Sequence, residues 1–194
     1  MGICNLNTCC RDYEAIITCE NFHFDFEDNN IYKIKEQLIL KNGKSIDNDQ
    51  LLLGKKYFKI INKIRENPFD YIKESKSHNL FDIFIKLKPC EPLQYSENNI
   101  FDIISYLMES QEQISIIEKQ HEIRSLINNG IVTNICLLET KSLGNDIKKN
   151  FWFFLEENEE YIEKIFSSKY EYIMIICLPI ENEKTNITFI FYTI

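Results

Sequence analysis

The sequence predicts an α+β domain built as a three-layer α-β-α sandwich, and three observations carry that prediction. Helical periodicities come first along the chain, then a strand, a long helix and two closing strands, an order that belongs to a mixed fold. The run Tyr172 to Leu178 is apolar at every position, as in a strand covered by helices on both faces. The length fits as well: 194 residues, 44% of them hydrophobic, make about one domain with a sizeable core.

Residues 1–50 read as a leader and residues 51–194 as the main domain. In the leader, Phe22, Phe24 and Phe26 alternate with His23 and Asp25 at a strand period, and Asp28-Asn29-Asn30 reads as a turn. Ile31 to Leu40 fits a strand or a short helix, ahead of the turn signal Asn42-Gly43. From Leu51 the pattern sharpens. Leu53, Tyr57, Ile60, Ile61 and Ile64 recur at three and four, which gives a helix with one apolar face. Asn67-Pro68 ends it and opens a short second helix, with Asn67 as cap and Pro68 in the first turn.

Lys88-Pro89-Cys90-Glu91-Pro92 is a loop closed by Leu93. Ser96 is expected to cap a helix carrying Ile100, Ile103, Ile104 and Leu107, and Ser110 with Gln113 a second one running through Ile127 to Gly130. Ile131 to Leu138 is rich in β-branched residues and predicts a strand. Ile147 to Phe166 predicts one long amphipathic helix. Tyr172 to Leu178 and Thr185 to Ile194 close the chain as a hairpin around Glu181-Asn182-Glu183-Lys184.

Composition narrows the function classes. Lys plus Arg is 22 against 30 Asp plus Glu, a formal charge of −8, which repels a phosphate backbone and argues against a nucleic-acid partner. Five Gly and four Pro leave little for a glycine-rich phosphate cradle. No G-x-S-x-G, P-loop, H-E-x-x-H or dinucleotide fingerprint occurs, so the expectation is a protein that is not an enzyme and carries no cofactor. Cys136 and Cys177 lie inside apolar strand runs and read as core residues, and Cys90 has no His close in sequence. The acidic run Glu156-Glu157-Asn158-Glu159-Glu160 points all round a helix axis and reads as a solvated face rather than a calcium loop.

Four of the seven cysteines (Cys4, Cys9, Cys10, Cys19) fall within the first nineteen residues, beside Gly2. Neither a secretory leader nor a spanning apolar segment is expected, and the expected compartment is the cytosol. Gly2 after the initiator Met permits myristoylation, and thiols at Cys4, Cys9 and Cys10 would then be within reach of palmitoylation at the membrane. One myristoyl chain binds marginally and a second makes residence stable. Leu6 stands where the myristoylation pattern prefers Ser or Thr. Two other readings stay open: unmodified thiols acting as small hydrophobes, and a metal site from Cys9, Cys10, Cys19 and His23.

A series of short motifs resembles the CAP superfamily, also called the SCP or pathogenesis-related-1 domain. Ile61-Asn62-Lys63-Ile64-Arg65-Glu66-Asn67-Pro68 is similar to its first helix, with an Asn, an Arg three later and a Pro at the end. Pro92-Leu93-Gln94-Tyr95-Ser96 resembles the loop into the second helix, and Arg124 to Gly130 the Arg-to-Gly helix end. Glu139-Thr140-Lys141-Ser142-Leu143-Gly144 stands where the family has Glu-Asn-Ile-x-x-Gly. Order and spacing hold over roughly residues 55–194.

The resemblance implies a cleft of two His and two Glu able to bind a divalent metal. Here Glu139 keeps one Glu position, Tyr161 stands in place of a His, and His121 is poorly placed for the other. A phenol with a pKa near ~10 binds metal far more weakly than imidazole at neutral pH, so no metal is expected. The resemblance therefore implies a degenerate member with a vestigial or repurposed cleft near Glu139, Tyr161 and Arg65. Its likeness is to the intracellular, myristoylated branch, whose members associate with membranes and bind lipid.

The expected partner is a membrane surface on its cytosolic side, reached through lipid anchors. A second reading is a component of a cytoskeletal or ciliary assembly. Phe151-Trp152-Phe153-Phe154 are four consecutive aromatics that cannot all face one core, so some would pack on another layer, on the leader or on a partner. A third reading is a metal-assisted hydrolase, as the superfamily resemblance allows.

Overall fold

A computed structural model describes residues 37–39, 45–74, 78–110, 114–127, 131–143, 146–180 and 184–194. The chain forms two compact units, Met1–Asp49 and Gln50–Ile194. In the first, β1 (Gln37–Ile39) pairs antiparallel with β2 (Ser45–Asp47). The strand-like run Phe22 to Phe26, the turn signals Asp28-Asn29-Asn30 and Asn42-Gly43, and every candidate lipidation site lie outside the described residues.

The second unit begins within α1 (Asn48–Glu66) and continues through α2 (Pro68–Glu74) and α3 (His78–Phe84). Then come β3 (Gln94–Tyr95), α4 (Ile100–Glu109), α5 (Ile116–Leu126) and β4 (Asn134–Leu143). Helices α6 (Ile147–Glu157) and α7 (Glu160–Ile165) precede the closing strands β5 (Tyr172–Pro179) and β6 (Lys184–Thr193). The sheet runs β3-β5-β6-β4, with β3 parallel to β5 and the other neighbours antiparallel.

Strand alternation builds the layers. Ile173, Ile175 and Cys177 of β5, Ile187, Phe189 and Phe191 of β6, and Cys136 and Leu138 of β4 share one face. That face packs against Tyr57, Ile61 and Ile64 of α1, Ile72 of α2, Leu80 and Phe84 of α3, and the aromatics of α6. Met174, Ile176, Ile190 and Leu137 fill the opposite face, which α4 and α5 cover with Ile100, Ile103, Ile104 and Ile123. The fold is thus α+β with helices on both faces of a mixed sheet, and β5 is buried from Ile173 to Leu178.

At the β3 edge the chain needs a glycine. The carbonyls of Glu171 and Ile173 accept from Gln94 and Ser96 N–H at 2.8 and 2.9 Å. Two residues on, the Ile175 carbonyl points the same way and meets α1 instead. A Cβ at Gly54 would sit 2.6 Å from that oxygen and 3.1 Å from the Tyr95 hydroxyl.

Several expectations from sequence are corrected. The segment Ile147 to Phe166 is two helices, because Asn158 turns its amide back to the Phe154 carbonyl at 3.1 Å and ends α6. The capping box is Ser115 with Glu118, each side chain bonding the other's backbone N–H, so α5 starts at Ile116; Ser110 instead ends α4. Gln113, Asn128, Asn129 and Gly130 lie outside the described residues. Ser96 does not cap α4. That position belongs to Asn99, held at φ 54° with its side chain donating to the Leu126 carbonyl at 2.6 Å. Strand β4 starts three residues later than Ile131 and runs on to Leu143. The helix α3 and the short strand β3 were not expected at all.

The four aromatics of α6 divide by helical geometry. At about 100° per residue, positions 151, 152 and 154 fall within one half of the helix and 153 points away. Phe151, Trp152 and Phe154 are accordingly buried, and Phe153 is 56% exposed. Phe154 stacks on Phe189 at 5.3 Å, while Trp152 meets Tyr71 and Phe84 at 5.1 and 5.6 Å.

Candidate functional site

Arg65 is 1% exposed on the last turn of α1. Its Nε and one terminal nitrogen donate to the Glu91 carbonyl at 3.0 and 2.7 Å. The other terminal nitrogen donates to the carbonyls of Ile165 and Ser167. A buried guanidinium is costly without acceptors, and here backbone oxygens supply them. Burial draws its pKa down, with Cys90 acting in the opposite direction. The carbonyl of Arg65 itself accepts from Cys90 N–H at 2.8 Å, and the Cys90 thiol donates to the Phe166 carbonyl at 3.2 Å.

One turn earlier, Asn62 performs the same task. Its amide donates to the Leu93 carbonyl and accepts from Leu93 N–H, both at 2.9 Å, as a neighbouring strand would. Residues three apart share a helix face, so Asn62 and Arg65 together staple the loop Cys90–Leu93 to α1. Arg65 adds the end of α7. Of the motif residues, Arg124 acts in kind, donating to the Thr133 carbonyl at 3.0 Å and tying α5 to the start of β4.

Glu139 lies on β4, directly opposite Thr188 of β6. Both its carboxylate oxygens accept from Lys119 Nζ of α5 at 3.0 Å, and the two side chains are 24% and 14% exposed. The parity of β4 turns Cys136 and Leu138 toward the α1 and α6 layer and turns Glu139 toward α4 and α5. Tyr161 belongs to the other layer, where its ring meets Phe154 at 5.2 Å. Its phenol is pushed up, first by burial, then by Glu160, Cys136 and Glu139.

The structure therefore gives Glu139, Tyr161 and Arg65 separate partners. Arg65 and Tyr161 belong to the same layer, and Glu139 faces the opposite one. Lys119 had no signal in sequence, because its role depends on which face of the strand Glu139 takes. Among the described residues, no group of three or more His, Cys, Asp or Glu side chains is arranged to hold a metal ion. Cys136 and Cys177 are buried as expected; burial pushes the Cys177 thiol up to about 12. Among the described residues no helix is long and apolar enough to cross a membrane.

No protein-family model and no curated protein matches the chain. A cysteine-rich secretory protein from Staphylococcus aureus, known as a solved structure, is similar over 76% of this chain at 11% identity and a TM-score of 0.44. The match covers 40% of that protein's own length. An overlap of this extent assigns this chain neither a family nor an activity.

Proposed function

We propose that this chain is a non-enzymatic CAP/SCP-like protein, held at a cytosolic membrane face by lipid on Gly2 and on Cys4, Cys9 or Cys10, where it acts as a binding or scaffolding module. The observation that carries the non-enzymatic part is the chelation of both Glu139 oxygens by Lys119 at 3.0 Å. A carboxylate held this way would have to give up its ion pair with Lys119 before it could ligate a metal. Arg65, likewise, has its guanidinium engaged by backbone carbonyls. The motif residues Asn62 and Arg65 thus hold the fold together rather than facing a substrate. The anchor rests on the terminal sequence, a Gly2 ready for myristate with thiols two, seven and eight residues beyond it.

Metabolic labelling with an alkyne myristate tests the anchor. Label and membrane sedimentation are expected for the parent chain, and both disappear in Gly2→Ala. Absence of label in the native host would remove the anchor from the proposal. The assembly reading has less to support it, since three of the four α6 aromatics are buried in the unit's own core and only Phe153 remains outside. The hydrolase reading is disfavoured by the Lys119–Glu139 pair.

A further inference from the structure

The acidic excess of the chain is missing from one helix. Between Asp49 and Glu66, α1 carries Lys55, Lys56, Lys59, Lys63 and Arg65 and no acidic residue, in a chain with 30 Asp plus Glu against 22 Lys plus Arg. Arg65 is buried and engaged by backbone carbonyls, and Lys55 pairs with Glu97 at 3.0 Å. Lys56, Lys59 and Lys63 are exposed, and none of them is in an ion pair among the described residues.

Helical geometry lines these three up. At about 100° per residue, positions 52, 56, 59 and 63 fall within an arc of about 60°, on the side of α1 turned away from Tyr57, Ile61 and Ile64. The lysines stand along about 10 Å of helix, and Leu52, 36% exposed, continues their line one turn toward the N-terminus.

Helix stability does not account for this arrangement. Like charges three and four positions apart weaken a helix, and Lys59 has such a neighbour on each side. Cations favour a helix C-terminus only within its last turn, which covers Lys63 and leaves Lys56 and Lys59 unexplained. A face kept for solubility mixes both signs. An unbroken line of cations is complementary to an anionic surface, which relieves their mutual repulsion.

The face suits a bilayer better than a nucleic acid. Lysine stems and Leu52 put an apolar floor beneath the charges, as in a helix that lies at a lipid interface. The line holds no aromatic ring on which a base could stack and no arginine fork for a phosphate. We propose that Lys56, Lys59 and Lys63, with Leu52, form a docking face for the anionic headgroups of a membrane, giving the chain the second binding signal that a single lipid chain lacks. The inference rests on the membrane reading above, and its test is independent of acylation.

The unacylated full chain is sedimented at millimolar lipid with phosphatidylcholine vesicles, and with vesicles in which a third of the lipid is phosphatidylserine. A lysine at such a surface contributes about fivefold, so the anionic vesicles should bind about a hundredfold more strongly, and high salt should erase the difference. Lys56→Gln, Lys59→Gln and Lys63→Gln combined should reduce binding to the level of the neutral vesicles. The same loss of charge at the exposed Lys141, Lys169 and Lys184 should change it little. The comparison of the two lipids needs no variant and stands even if a variant folds poorly. Equal binding to both vesicles overturns the proposal. So does a folded triple variant of α1 that keeps the preference, or a control variant that loses it as fully. Retention on a single-stranded oligonucleotide that needs the same lysines and exceeds vesicle binding also overturns it, because the partner is then a nucleic acid. Missing myristate label removes the anchor alone, and missing lipid preference removes this face alone.

Discussion

Replacing Arg65 by Met removes the staple while keeping most of the side-chain volume. The guanidinium makes four hydrogen bonds to three carbonyls, those of Glu91, Ile165 and Ser167. Hydrogen bonds from a charged donor contribute about 1.5–3 kcal/mol each on deletion, so the gross loss is of order 6–12 kcal/mol. Two effects reduce it. The buried cation already carries a desolvation cost of several kcal/mol that Met does not, and Met restores apolar contact. The Ile165 carbonyl stays buried with one partner fewer, while Glu91 and Ser167 reach the surface and their carbonyls can take water.

A net loss of about 3 kcal/mol follows, which for a unit of this size lowers Tm by about 6–12 °C. Thermal unfolding followed by circular dichroism reads the total, and hydrogen exchange at residues 90–93 reads the loop locally. The loop should exchange faster even at temperatures where the rest stays folded. Arg65→Lys keeps the charge without the planar fork and should fall between the two. If Arg65→Met melts within about 2 °C of the parent, the staple argument fails, whatever the loop does.

Other outcomes follow from the same packing. Gly54→Ala gains about 1 kcal/mol of helix propensity, but its Cβ meets a backbone carbonyl at 2.6 Å. Overpacking of about 1–3 kcal/mol should prevail, and a variant that melts at or above the parent would contradict the close approach. Phe154→Ala empties the stack on Phe189 and should cost about 3–5 kcal/mol in urea unfolding, whereas Phe153→Ala should stay within about 0.5 kcal/mol. Equal effects would mean the helix presents a different face. Burial raises Cys177 from its ordinary 9.0 to about 12, and Tyr57 from 10.0 to about 12. The unfolded chain therefore releases these protons first, and stability should decline from near pH 9 to pH 12, by up to about 1.4 kcal/mol per pH unit for Cys177. Cys177→Ala should move the onset toward pH 10, where Tyr57 begins to contribute; an unchanged onset would rule the thiol out.

Strands β4, β5 and β6 and most helices were legible because their signals are local. Tyr172 to Leu178 carries its double burial in composition alone, and Leu53, Tyr57, Ile61 and Ile64 carry the helix α1 in their spacing. Two expected caps failed because capping is a competition that depends on distant partners. Ser96 had a better use for its hydroxyl, accepting from Tyr192 at 2.5 Å and from Asn98 N–H at 3.2 Å. Asn99 took the cap position because the Leu126 carbonyl lies within reach of its amide. The break at Asn158 was hidden because the apolar pattern continues through it to Ile162 and Ile165, and pattern does not register a side chain that bonds the preceding turn.

By itself, the sequence determined the α+β class, the two-sided burial of β5 and the motif residues Asn62, Arg65 and Glu139. The class and the burial follow from period and composition, which are properties of neighbouring residues; the motif residues stood out only through the likeness of short segments to a known family. The tertiary structure alone decided what those motif residues do. Asn62 and Arg65 find their acceptors in a loop some thirty positions away, and Arg65 reaches the end of α7 a hundred positions on. Glu139 finds Lys119 because the pleat of β4 turns it toward α5 and away from Tyr161. A strand's face is set by its pairing register, and pairing is a relation between segments that no single segment encodes.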